Sequence, residues 1–394
     1  MQPIVDGPMS PRFTALTLDG DTPDVAGILS RLPAAMRDTF DQAPTGPCIS
    51  WGIPFDVGVP LLLDGEPVEV TLPPTTATWF VVMHTADLAE MPVSKDGLIS
   101  PMRGGGMLNQ HVADYVFVYD DGTEARVQIR RRHQIGSYRR RWGENCFQAV
   151  AHRKPSPVNA AHEQLTAGWG QTQTRVFQND GGPWTNWLWA WENPSPEKPV
   201  VGLRLEPIAG CMLVFGLAAG DVSDQPLRWR RRRKALLTLP EGETLDRHLD
   251  DRGCLAQIQL DLGQVISALP RPRYPDDTWA DSYNNQLPEP SGEEVLVEYT
   301  AHPDAAFHLA RALPIDDALT EPAQVPVASV EAAPSPAVPL APIPPATQRV
   351  TLRVVEAGTA RPVAVKLHVH GPFDEYLAPV DRHRIINPAW FEDY

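Results

Sequence analysis

Proline limits what this chain can build more than any other residue does. It occupies 42 of 394 positions, about 11% against an ordinary share near 5%. Each proline fixes φ, removes a backbone donor and breaks helix interiors. A long-helix bundle or a coiled coil is therefore excluded, whereas short strands joined by turns absorb such punctuation. The hydrophobic share of 42% and charged share of 21% are near globular values and argue against wholesale disorder. Eleven tryptophans suit a β-rich, aromatic-packed architecture.

The prolines are unevenly placed. Eight fall in the 28-residue segment 321–348, EPAQVPVASVEAAPSPAVPLAPIPPATQ. Alternating Pro, Ala and Val there predict an extended, semi-rigid spacer without a core of its own. Four regions are expected: an N-terminal extension (1–45), a sandwich region with trailing strands (46–317), a linker (318–348) and part of a second, small β-domain (349–394).

Most segments before the linker have strand character. Residues 51–57, 77–85, 254–263 and 293–300 are short runs rich in apolar, β-branched or aromatic side chains, with turns at their ends. Residues 115–119 and 125–130 alternate around Asp120-Asp121-Gly122-Thr123, a hairpin signature. Residues 186–192 and 200–205 flank Asn193-Pro194-Ser195-Pro196 and predict a second hairpin. Only residues 24–37 read as helix, and past the linker 350–355 and 363–369 read as strands. The pattern predicts an all-β chain built on a jelly-roll sandwich.

Charge narrows the function classes. With 34 Lys+Arg against 49 Asp+Glu, the net charge is -15, which disfavours a nucleic-acid binder and attraction to anionic membranes. No run of about 18 apolar residues exists, and the start MQPIVDGPMSPRF lacks a basic region followed by an apolar one. A cytoplasmic protein is expected. Cys48, Cys146, Cys211 and Cys254 form no C-x-x-C pair, so neither a zinc ribbon nor a disulfide scaffold is indicated.

Three constellations could carry chemistry. Trp187, Trp189 and Trp191 alternate, so one strand face carries three indoles, with Trp184 just before them. They would either fill a sandwich core or form a platform for the flat face of a sugar. Arginines cluster at Arg130 to Arg132, at Arg139 to Arg141 and at Arg228 with Arg230 to Arg233, interleaved with His133, Tyr138, Trp142 and Trp229. Such groups hold phosphates, carboxylates or anionic sugars, or pair with the chain's own acids on a solvated face. His368 and His370 share one side of a predicted strand, but only 24 residues follow His370, too few for a hydrolytic metal site. No P-loop, G-x-S-x-G, H-E-x-x-H or dinucleotide fingerprint occurs, so no cofactor is expected in this chain. The candidate ligand-binding residues are Trp184, Trp187, Trp189, Trp191, His133 and Arg139.

Two stretches resemble known families. GIPFDV, FVVMHT, YVFVYDDGTEARVQI and WENPSPEKPVVGLRLEP, in that order within residues 50–215, resemble the galactose-binding-like jelly-roll modules of carbohydrate-active enzymes. The tail from residue 354 resembles a segment of the carbaryl-hydrolase-like (CehA/McbA) metallohydrolases. The matching pieces are the strand with Pro362, Tyr376-Leu377-Ala378-Pro379, His383-Arg384 and Phe391-Glu392-Asp393. In that family similar text forms a small prealbumin-like β-module ahead of the catalytic domain. The resemblance implies that such a domain, with its divalent metal, would begin after Tyr394, and no catalytic residue is carried over. The chain is expected to be the non-catalytic N-terminal portion of a metal-dependent hydrolase, structural or binding a glycan or small molecule. An autonomous carbohydrate-active enzyme and a structural interaction module are the alternatives.

Overall fold

The computed structural model describes residues 2–88, 95, 109–140, 145–154, 183–230, 232–250, 252–273, 289–310, 322–332, 339–344 and 350–364. Among the described residues the fold is all-β, built of antiparallel sheets with three short α-helices.

Strands that are apolar at nearly every position need partners on both faces, and three such strands organise the fold. These are β7 (Trp79–Asp87), β11 (Trp187–Glu192) and β13 (Cys211–Gly220). With β1 (Phe13–Leu16) and β10 (Ala149–Ala151) they form a sheet in the order β1-β13-β7-β11-β10, and β5 (Leu61–Leu63) adds to β13. Facing it is a second sheet, β2-β6-β12-β8-β9, made of β2 (Asp19–Gly20), β6 (Val68–Thr75), β8 (His111–Tyr119), β9 (Glu124–Arg130) and β12 (Val200–Pro207). The chain crosses between the sheets from β1 to β2 and again at each step from β5 to β8, the course of a jelly roll.

Phe80, Val82, Tyr115, Phe117, Leu203, Leu205 and the indoles of β11 fill the space between these sheets. On β13 a bulge between Val214 and Gly216 resets the alternation, so that Met212, Val214, Leu217 and Ala219 all reach this core. The opposite face of the six-stranded sheet presents Val81, Met83, Leu188, Ala190, Leu213 and Phe215 to a second core.

The expected N-terminal extension covers part of that second core. α1 (Val25–Arg31) and α2 (Ala34–Arg37) lie in the segment expected to be one helix and break at Leu32-Pro33, because a residue before proline is pushed out of the helical region. The Asp24 side chain caps α1 by accepting from Gly27 N at 2.8 Å. Ile28, Met36 and Phe40 are buried, as are Ile53 and Phe55 of the hairpin β3 (Gly46–Ser50) and β4 (Ile53–Val57).

The trailing strands form a further two-sheet unit. One sheet runs β16-β17-β14-β20, from β14 (Arg233–Thr238), β16 (Gly263–Arg273), β17 (Glu289–Ala301) and β20 (Leu340–Pro342). The other is β15 (Ile258–Leu260), β18 (Ala306–Leu309) and β19 (Ala323–Pro326).

Two expectations are corrected here. Residues 187–192 and 200–205 lie in strands, but β11 and β12 belong to opposite sheets and are not a hairpin. The proline-rich segment does not act as a spacer over its described residues. It supplies β19, α3 (Val327–Ala332) and β20, and Val327, Val330 and Leu340 are each 1% exposed. Its prolines fit because β19 and β20 are edge strands, where a missing N–H faces no partner, and its valines supply apolar surface that a spacer would leave in water. In residues 350–364 a turn is closed by a single bridge, Val355 to Pro362. His368, His370 and the family motifs at 376–393 lie outside the described residues.

Candidate functional site

The tryptophans are core. Trp184, Trp187, Trp189 and Trp191 are 4%, 2%, 3% and 7% exposed, which overturns the platform reading. Their strand has an apolar layer on each side, so neither face is left for a sugar. Trp191 stacks on Phe117 at 3.8 Å, Trp189 lies parallel to the His84 ring, and Trp184 meets Phe40 edge-on at 5.8 Å.

Trp187 also props up the loop that carries the other two candidates. Its indole N–H donates to Ser137 O at 3.0 Å, and a Cβ on Gly136 would sit 2.4 Å from its ring. Upstream, Arg132 has φ +61, a left-handed conformation that turns the chain sharply after β9. His133 N and Gln134 N both donate to Arg130 O at 3.1 Å, and the Gln134 side chain accepts from Arg130 N at 2.9 Å. His133 is thereby held partly exposed at the tip of a rigid turn.

A short segment docks against this turn. Phe147 N donates to Arg132 O and Gln148 N to His133 O, both at 2.9 Å, and Gln134 donates to the Gln148 side chain at 2.8 Å. Phe147 is left 69% exposed, with the His133 ring 5.2 Å from its own. Arginines hold the backbone and Asn145 of this segment. Arg132 Nε donates to Asn145 O at 3.3 Å, Arg140 to Asn145 Oδ1 at 3.1 Å, and Arg228 to Phe147 O. Arg139 is exposed two residues after Ser137, whose hydroxyl accepts from its N–H at 3.3 Å. The fold thus places His133 beside Phe147, with Arg139 on the same loop and the tryptophans behind.

Other arginines of the sequence clusters serve the fold. Arg232 pairs with Glu298, while Arg233 and Arg230 reach Glu331 of α3 at 2.9 and 3.5 Å. On the solvent face of the second sheet Arg126 joins Asp114 and Glu206, and Arg204 joins Glu124 and Glu206.

A second polar cluster ties the N-terminus, the sandwich and the trailing unit together. The Asp6 carboxylate accepts from Trp51 N at 3.0 Å and Lys154 N at 2.8 Å. Lys154 Nζ donates to Leu260 O at 2.7 Å and Asp261 O at 2.5 Å, and the Cys254 thiol donates to Asp6 O at 3.3 Å. Asp6, Lys154, Cys254 and Leu260 line a small cleft open to solvent. Burial raises Asp6, lowers Lys154 and pushes Cys254 up to about 11. The thiol therefore stays protonated at neutral pH and is a poor nucleophile.

Sequence reasoning missed Phe147 and the Asp6–Lys154 cluster. Phe147 had no distinguishing local signal, since Cys146 precedes it and Ala149-Val150 follow close behind. The cluster had none, because its members lie 148 and 107 residues apart.

No family model, curated protein or solved structure matches this chain. Among the described residues no helix is long and apolar enough to cross a membrane, and no three His, Cys, Asp or Glu side chains converge as a metal site would require.

Proposed function

We propose that this chain is a non-catalytic accessory module of a larger metal-dependent hydrolase, and that it binds a saccharide-type ligand on the surface around Phe147 and His133. The carrying observation is an aromatic side chain, 69% exposed, on a backbone that is hydrogen-bonded in place. A ring on a fixed backbone offers a flat apolar face at low ordering cost. The galactose-binding-like series in residues 50–215 supports the saccharide class, and the tail supports the hydrolase context.

Affinity electrophoresis through a panel of soluble polysaccharides tests the reading. Retardation by at least one polymer, lost in Phe147→Ala with unchanged melting, is expected. A chain that migrates identically through every gel refutes it. The burial of all four candidate tryptophans favours a second reading, a purely structural module, and that negative result would support it.

A further inference from the structure

We infer that the Phe147 surface takes an anionic saccharide chain, bearing carboxylate or sulfate groups, in preference to a neutral one. This rests on the reading of that surface as the ligand site and adds the ligand's charge. A chain with net charge -15 repels polyanions overall, so anion binding requires cations concentrated locally and left available.

The arginines divide on that criterion. Arg126, Arg204, Arg232 and Arg233 lie against carboxylates, and those of Arg126 and Arg204 raise their pKa values. Arg228 is different. Among the described residues its side-chain hydrogen bond goes to a carbonyl, Phe147 O, and the residue is exposed. A guanidinium has five N–H donors in a planar fork, and the carbonyl uses one nitrogen of it. The remaining donors suit the paired oxygens of a carboxylate or sulfate.

The same bond fixes where the charge sits. It ties the guanidinium to the residue whose ring is exposed, so an anionic group on Arg228 places the sugar carrying it within reach of Phe147. Arg139, exposed on the neighbouring loop, supplies a second cation for the next charged unit of a chain. An acidic sugar carries a flat CH face and an equatorial acid on one ring, the two features that the exposed Phe147 ring and the guanidinium held on its carbonyl would meet.

The test compares the intact chain's affinity for polygalacturonate (carboxylate), dextran sulfate (sulfate), neutral galactan and dextran, and a single-stranded oligonucleotide, at low and high salt. The expected result is binding to one or both acidic polysaccharides, at least tenfold tighter than to the neutral ones, and weakened by salt. Arg228→Gln should lower that affinity about tenfold or more, with a smaller loss for Arg139→Gln and unchanged melting in both. Binding to neutral polymers alone overturns the anionic assignment and leaves the Phe147 surface as a sugar site. Tighter binding to the oligonucleotide, or an Arg228→Gln variant with undiminished affinity for acidic sugar, also overturns it. Binding to nothing in the panel removes the functional reading itself.

Discussion

Lowering the pH from 7 to 5 should weaken the folded chain through two buried histidines, and His84→Gln isolates one share of that loss. His84 is 0% exposed between the two sheets of the jelly roll. Its Nε2 lies 2.9 Å from Gln134 O, and its Nδ1 lies 2.8 Å from the Tyr115 hydroxyl. A carbonyl only accepts, so Nε2 carries the proton and Nδ1 accepts from the hydroxyl. Burial lowers its pKa from 6.5 to about 4. His152, whose Nδ1 accepts from Asn186 N at 3.0 Å, is lowered to about 3 by burial and the nearby Arg153 charge.

The direction follows from proton counts. Below pH 6.5 the unfolded imidazoles take up protons and the folded ones do not, so the unfolded state gains as pH falls. Above 6.5 neither residue contributes. At about 1.4 kcal/mol per pH unit, the drop to pH 5 costs about 2 kcal/mol per histidine and about 4 kcal/mol for the pair. Urea unfolding followed by tryptophan fluorescence at pH 7 and pH 5 measures the loss in the wild type and in His84→Gln. The glutamine amide keeps a donor for Gln134 O and does not titrate. The pH-dependent loss should shrink by about 2 kcal/mol in the variant, with carboxylate contributions cancelling in the difference. An identical loss in both proteins, or a His84 ring signal titrating near 6.5 in the folded state, would refute the reasoning.

Three further outcomes follow from the packing. Trp191→Ala removes the ring stacked on Phe117 and should cost about 3–5 kcal/mol in chemical unfolding. Lys154→Met keeps the side-chain length but strips the donors from Leu260 O and Asp261 O. It should cost about 1–3 kcal/mol and speed amide exchange in β15 and in the loop that follows, while β11 stays protected. Val330→Asp places a charge in a site that is 1% exposed. It should destabilise the trailing unit by about 3 kcal/mol or more and open residues 322–344 to limited proteolysis, whereas a spacer would accept it unchanged.

Local signals carried the strands before the proline-rich segment and one hairpin, whereas residues 350–355, expected as a strand, contribute only the isolated bridge at Val355. Asp120 to Thr123 turns between β8 and β9 as its Asp-Gly pair dictates, with Gly122 at φ +79. What the sequence did not show is pairing at a distance. β1 pairs with β13 some 200 residues later, and nothing within Asn193 to Pro196 tells whether the next strand stays in the same sheet. The proline-rich segment misled because its composition is averaged over 28 residues, while burial is decided one residue at a time, at Val325, Val327, Val330 and Leu340. At the site, His133 and Arg139 were legible as polar residues in an arginine-rich loop. Phe147 was not, because its exposure depends on the turn at Arg132 and on the docking of residue 147 against it.

The doubly buried sheet explains why the tryptophans and the proposed ligand surface are separate. β11 alternates indoles on one side with Leu188 and Ala190 on the other, so an indole facing solvent would require one of the two cores to be absent. Both are present, and the second receives the N-terminal helices, the β3–β4 hairpin and the trailing unit. A large rigid interior built this way leaves loops at the sheet edge as the places where an aromatic side chain can meet a ligand. The loop from Arg131 to Tyr138 is such a place, and it is anchored to that interior at Trp187 through Ser137 and Gly136. Shaving the indole should therefore loosen His133 and weaken ligand binding without any contact between Trp187 and ligand. Trp187→Phe removes the bond to Ser137 O together with the outer part of a buried ring on which Gly136 packs. It should lower affinity and cost about 2–3 kcal/mol of stability, and a variant that binds as the wild type does would show that the loop holds its shape unaided.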